Sequence, residues 1–164
     1  MSVIDELIAN NRARGHPPSG HADACPSRRV AIVTCMDARI DPAAALGLEP
    51  GEAHVLRNAG TAVTDDVIRS LAISQRLLGT REVMVIKHTR CGMQDLDEDR
   101  LRAELAESAG TEPTWAIESF DDLDDAVRKA VARVRDSPFL AHRDRVRGFV
   151  YDVQTGRLRE VAVA

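Results

Sequence analysis

The sequence predicts an α/β fold: a mainly parallel four-stranded sheet plus an antiparallel edge strand, flanked by helices, with an N-terminal helical arm. Three observations carry this. Val30-Ala31-Ile32-Val33 and Val83-Met84-Val85-Ile86 are continuous apolar runs rather than alternating ones, the pattern of strands buried on both faces of a parallel sheet. Between them lies a helical stretch with Thr64 as its start signal, Asp65 and Asp66 in its first turn and Gly79 as its stop, which completes a β-α-β unit. The chain has 164 residues, enough for one domain with a real core and too few for two ordinary ones.

Each element follows from local chemistry. Residues 2–13 read as a short amphipathic helix, with Ser2 as N-cap, Asp5 and Glu6 in the first turn, and Val3, Ile4, Leu7 and Ile8 apolar. So short a helix needs a partner surface. Residues 14–28 hold Gly15, Pro17, Pro18, Ser19, Gly20, Pro26 and Ser27, a loop composition, so residues 1–28 are expected to form an arm and loop and residues 29–164 the folded domain. Residues 53–56 offer another strand, and Asp41-Pro42 opens a short helix that Gly47 ends. Residues 97–108 and 121–136 read as helices, the second with acids leading and bases trailing as the helix dipole favours. Residues 148–153 and 158–163, joined across Gln154-Thr155-Gly156-Arg157, predict a closing hairpin.

Composition narrows the function. The 22 basic and 26 acidic residues leave a net charge of −4, and aromatics are 3%, which together argue against nucleic acid as a partner: there is neither a basic footprint nor a stacking platform. No run of about 18 apolar residues predicts a membrane span, and the first residues do not read as a signal peptide. Three widely spaced cysteines do not resemble a secreted disulfide framework, so a reducing cytoplasm is expected.

Two of those cysteines stand at informative places. Cys35 directly follows the first predicted strand, and His88 and Cys91 directly follow the 83–86 strand; open α/β sheets bind ligands at these carboxyl ends. If the two strands are neighbours, two thiolates and one imidazole converge, a set suited to Zn²⁺ and wrong for Mg²⁺ or Ca²⁺. In Cys35-Met36-Asp37-Ala38-Arg39 an acid and a base follow the thiol at alternate positions, and such an Arg can pair with the Asp and keep it ionised. A thiol phosphatase loop would place the Arg six residues after the Cys; Arg39 comes four after.

Cys-x-Asp-x-Arg followed some fifty residues later by His-x-x-Cys resembles the β-class carbonic anhydrases, and the small bacterial members most. Gly51-Glu52-Ala53, Arg57-Asn58-Ala59-Gly60 and the helix running through Ser70-Leu71 to Gly79-Thr80 extend the likeness over nearly the whole chain. The resemblance implies one zinc per chain on Cys35, His88 and Cys91, with Asp37 and Arg39 as a catalytic dyad. It implies reversible hydration of carbon dioxide to bicarbonate and a proton by zinc-activated hydroxide. Gly92 matches a position whose N–H can face substrate. In some members the aspartate swings onto zinc as a fourth ligand in a closed state, and the sequence leaves open which state Asp37 adopts. The family also implies a homodimer or dimer of dimers, with the 2–13 helix as the natural arm onto a neighbouring subunit. Two alternatives stay open: hydrolysis of a CO₂ analogue such as carbon disulfide or carbonyl sulfide, and a non-catalytic zinc protein closed by Asp37.

One position departs from the pattern. Members often carry Gln just before the Pro-Gly of Leu48-Glu49-Pro50-Gly51, where its amide can donate to substrate; Glu49 accepts only, so that role is not carried over. Arg90 is expected to point to water. His21 and Cys25 form a superficial ligand pair without companions, and Cys25 reads as a free surface thiol. His54 is placed near the site as a structural histidine, and His16 and His142 face solvent. Asp95, Asp97, Glu98 and Asp99 lack the calcium-loop pattern and read as a helix start.

Overall fold

A computed structural model describes residues 2–15 and 23–163; the readings made on His16 and His21 fall outside them. In chain order the elements are α1 (Val3–Arg14), β1 (Val30–Cys35), α2 (Pro42–Leu46), β2 (Ala53–Asn58), a 3₁₀ turn (Ala59–Thr61), α3 (Asp65–Arg76), β3 (Glu82–His88), α4 (Glu98–Ala109), α5 (Leu123–Asp136), β4 (Val146–Asp152) and β5 (Arg157–Val161). The sheet order is β2-β1-β3-β4-β5, with the first four strands parallel and β5 antiparallel to β4. This is the predicted fold class.

The helices start where side chains can satisfy the first backbone N–H groups. Asp41, Thr64, Asp97 and Asp122 each cap a helix with a side-chain oxygen, and Ser2 with Asp5 forms a reciprocal capping box on α1. Placements that differ from the sequence reading include the end of α3, the closing hairpin and the position of His54. Helix α3 stops at Arg76 rather than at Gly79, leaving Leu77 exposed. The closing hairpin spans Val146–Asp152 and Arg157–Val161, because pairing with β3 reaches back to Val146 and the β4–β5 ladder closes at Gly148↔Val161. His54 sits at the start of β2, paired with Ala31, and therefore at the end of the sheet remote from Cys35; its ring nitrogens meet Ser74 Oγ (2.7 Å) and the Ala24 carbonyl (3.2 Å).

The continuous apolar runs are explained by two covered faces. On one, Ala31, Val33, Val83, Val85, Val146 and Val150 pack against Val67 and Leu71 of α3 and Val127, Val131 and Val134 of α5. On the other, Ile32, Ile86 and Phe149 gather Leu46, Leu48, Met84 and Tyr151. A third cluster, Cys35, Ile40 and Cys91 with Met93, Phe120 and Tyr151, closes the carboxyl edge of the sheet. By contrast α1 buries nothing: Val3, Ile4, Leu7 and Ile8 are all exposed.

Packing is tight where α5 crosses β4 at Gly148. A Cβ on Gly148 would overlap Val127 Cγ1 and stand 2.9 Å from Val131 Cγ2, both on short branched side chains with little room to yield. Gly148→Ala should therefore destabilise the protein by about 1–3 kcal/mol, the usual cost of overpacking a filled core, read as a lower urea midpoint at unchanged slope.

Candidate metal centre

The site is built by strand register. Strands β1 and β3 are adjacent and parallel, with Thr34 opposite Ile86, so Cys35 ends β1 beside the last residues of β3. The ligand atoms of Cys35, His88 and Cys91 lie within 4.8 Å of one another, and all three residues are buried. The convergence expected from the sequence is present.

The turn between His88 and Cys91 is held from both sides. Arg90 adopts a positive φ of 56°, which folds the chain back within three residues. Its carbonyl accepts from Arg39 Nη2 (2.8 Å), while Thr89 N–H donates to the Tyr151 carbonyl (3.0 Å) and Thr89 Oγ1 accepts from Val153 N–H (3.2 Å). The Arg90 side chain is exposed, as expected; its backbone does the structural task.

His88 is prepared as a ligand. Its Nδ1 lies 3.0 Å from the Thr89 carbonyl, which can only accept, so Nδ1 carries the proton and Nε2 presents a bare lone pair. Nε2 is buried and, among the described residues, has no hydrogen-bond partner. An orphaned buried nitrogen facing two sulfurs is a costly arrangement unless something binds there. The close approach of the two sulfurs pulls the Cys35 thiol well below its ordinary range and pushes that of Cys91 up. The set of two sulfurs and one imidazole nitrogen can hold a metal ion.

Asp37 and Arg39 stand beside these groups. Arg39 Nε donates to Asp37 Oδ1 (2.9 Å) and Nη2 to Oδ2 (2.6 Å), a bidentate pair, and Arg39 N–H also donates to Oδ1 (2.9 Å). Hydrogen bonding from Arg39 holds the Asp37 carboxyl well below the usual carboxylate range. Oδ2 lies 3.8 Å from His88 Nε2. Gly92 follows Cys91 and is exposed, with open space where a Cβ would stand.

Several supports escaped the sequence reading as individual residues. Arg57, at the end of β2, donates from Nε to the Cys35 carbonyl (2.9 Å) and from Nη2 to the Asp37 carbonyl (2.8 Å), fixing the segment that carries both. Asn58 receives Met36 N–H on its carbonyl and clamps Ala62 with both ends of its amide. Lys87 is buried at 5% exposure, its ammonium 2.6 Å from the Gly60 carbonyl and 4.4 Å from the Phe120 ring centroid. Its signal in the sequence is a charged residue directly after the apolar run of residues 83–86.

Comparison with known proteins agrees with this arrangement. The carbonic anhydrase family model matches residues 30–158. "Beta-carbonic anhydrase 1" of Mycobacterium tuberculosis is 48% identical over 161 residues, covering 98% of this chain and 99% of the relative. A carbon disulfide hydrolase of an Acidianus species is 34% identical over 159 residues, covering 82% of this chain and 78% of that protein. The crystal structure of a carbonic anhydrase from Streptococcus mutans superposes with a TM-score of 0.90 at 43% identity, covering 99% of both chains. With residues 30–158 matched by the family model and relatives aligned over nearly the whole chain, the chain belongs to the β-carbonic anhydrase family.

Proposed function

We propose that this chain is a zinc enzyme that interconverts carbon dioxide and bicarbonate. The observation that carries the reading is the triangle of Cys35, His88 and Cys91, with a bare His88 Nε2 aimed into it and an Arg39-clamped carboxylate at its rim. Two thiolates and an imidazole match the ligands of a zinc site that keeps a fourth position open. When bound, zinc supplies acidified water, its pKa brought to about 7, and so a strong nucleophile at neutral pH.

The chain's own residues then do the rest. Asp37, kept ionised, accepts a hydrogen bond from the nucleophile and turns a lone pair toward the CO₂ carbon. Arg39 fixes that carboxylate through both oxygens, so orientation is set before substrate arrives. Gly92 offers a backbone N–H to the substrate oxygen. That Arg39 occupies both Asp37 oxygens favours a dyad over an aspartate serving as a fourth metal ligand in a closed state. The carbon dioxide substrate is favoured over carbon disulfide by the relatives: 48% against 34% identity, and 98% against 82% of this chain.

Residues 29–164 form the catalytic unit, and residues 1–28 serve as an arm. The exposed Val3, Ile4, Leu7 and Ile8 on α1 support a homodimer, or a dimer of dimers, in which α1 lies on a neighbouring copy. Three free cysteines, two of them ligands in this reading, support a cytoplasmic setting.

Purified protein should contain about one zinc per chain and hydrate CO₂ in stopped-flow assays over a pH series. Cys35→Ser should lose the metal, while Asp37→Ala should keep it and lose about 10–100-fold in rate, the range for groups that orient a metal site. Zinc-loaded protein that hydrates no CO₂ at any pH would overturn the assignment, and turnover of carbon disulfide alone would move it to the alternative.

Carboxyl NMR of the metal-free protein should find Asp37 titrating below the ordinary carboxylate value of about 3.9, and Arg39→Leu should move it upward. Because the folded value is the depressed one, the pair stabilises the fold above pH ~4 and loses that contribution as pH falls through the folded value. Leu7→Glu should reduce the solution mass measured by light scattering; an unchanged mass would exclude α1 as the arm.

A further inference from the structure

Lys87 is not used by the reaction described above, and its position is an unusual one. The strand that carries it is buried on both faces, a setting in which a lysine is rare unless it has partners. It lies on the opposite side of β3 from the His88 ring, at the inner end of a cavity of about 460 Å³ that opens between the 3₁₀ turn and the start of α5, lined also by Thr61, Phe120 and Arg133.

Its partners lead back to the metal centre by two routes. The first is hydrogen-bonded. Lys87 Nζ donates to the Gly60 carbonyl at 2.6 Å, and the Gly60 N–H faces the Cys35 sulfur, where it favours the thiolate. Gly60 is held there from further sides: φ is +67°, a Cβ would stand 2.9 Å from Met93 Cγ, and Thr61 Oγ1 next to it donates to the Ile86 carbonyl (3.1 Å). The second route is Coulombic. Burial disfavours the Lys87 charge, and the Cys91 and Cys35 sulfurs act in the opposite sense and favour it. The Phe120 ring face below the ammonium partly replaces its lost hydration.

We propose that Lys87 is a positioning residue of the metal centre: its buried ammonium pins the 3₁₀ turn so that the Gly60 N–H meets the Cys35 sulfur, and it places a compensating positive charge beside two thiolates. Both effects act in one direction. A hydrogen bond and a nearby cation lower the energy of sulfur lone pairs, so the thiolates donate less charge to a metal and leave it the stronger Lewis acid. That offsets a weakness of a two-thiolate site, whose ligands otherwise cancel the charge of a divalent ion. The inference rests on the reading of Cys35, His88 and Cys91 as ligands.

The experiment replaces zinc by cobalt(II), whose thiolate-to-metal charge-transfer absorption reports the sulfur lone-pair energy directly. In Lys87→Met, a neutral side chain of similar length, the band should move to longer wavelength relative to the unaltered protein, and Lys87→Arg should move it back. Loss of packing alone would lower stability and leave the band in place. A band that does not move in folded, cobalt-loaded Lys87→Met overturns the proposal. If that variant fails to fold or load, Lys87→Gln, which keeps a donor for Gly60 and drops the charge, carries the same readout and the same criterion. Failure of the unaltered protein to take up cobalt or zinc at all would instead overturn the ligand assignment.

Discussion

The parallel pairing of β1 with β3 is the constraint on which the rest of this molecule depends. Two strands of six and seven residues run side by side, so their carboxyl ends open at the same edge of the sheet. Were they antiparallel, Cys35 would stand at the Glu82 end of β3, roughly 20 Å from His88 at about 3.3 Å per residue. Parallel neighbours require a crossover, and α3 supplies it, packing Val67 and Leu71 onto the face that β1 and β3 share. The convergence of Cys35 and His88 is thus a consequence of topology, and the short turn after His88 adds Cys91.

What surrounds the ligands is strained backbone held in place by specific bonds. Of the five described non-glycine residues with positive φ, four, namely Thr61, Arg90, Asp95 and Glu118, lie in the segments that wrap the carboxyl edge. Each such conformation costs on the order of 1–3 kcal/mol and persists only where neighbours fix it. Arg39 fixes Arg90, and the buried hydroxyl of Thr61 is tied to Ile86. Asp95 N–H donates to the Phe120 carbonyl, and the Glu118 carboxylate meets Arg133 of α5. Stability released by the valine-rich core is therefore partly retained as shape at the site.

The sequence revealed these parts unequally, and the reasons are physical. Cys35, His88 and Cys91 were legible because strand ends are marked by apolar runs, and Asp37 with Arg39 because a local spacing of two allows a pair. The hairpin strands differ from the local pattern by one or two residues at each end because register is decided by the ladder to β3, which no local pattern encodes. His54 was placed near the site on proximity in sequence to motifs, yet a parallel strand carries its first and last residues to opposite edges. Arg57 and Lys87 act through backbone carbonyls, at 22 and 27 residues' separation, and carbonyl acceptors leave no trace in residue identity.

The charges at the site also match what a metal ion would require of it. Hydrogen bonding between the sulfurs favours the thiolate of Cys35 and the thiol of Cys91, and Arg39 holds the Asp37 carboxylate ionised. A divalent cation held there would meet the unpartnered Nε2 of His88 beside the two sulfurs. Ordinary exposed ion pairs such as Arg100 with Glu104 or Lys129 with Asp125 could not be arranged to this end, since water screens them and they fix little. Burial is what lets the same kinds of charge specify geometry: behind the sheet edge, each ionised group must have a partner, and those partners leave the bare Nε2 facing the place between the sulfurs.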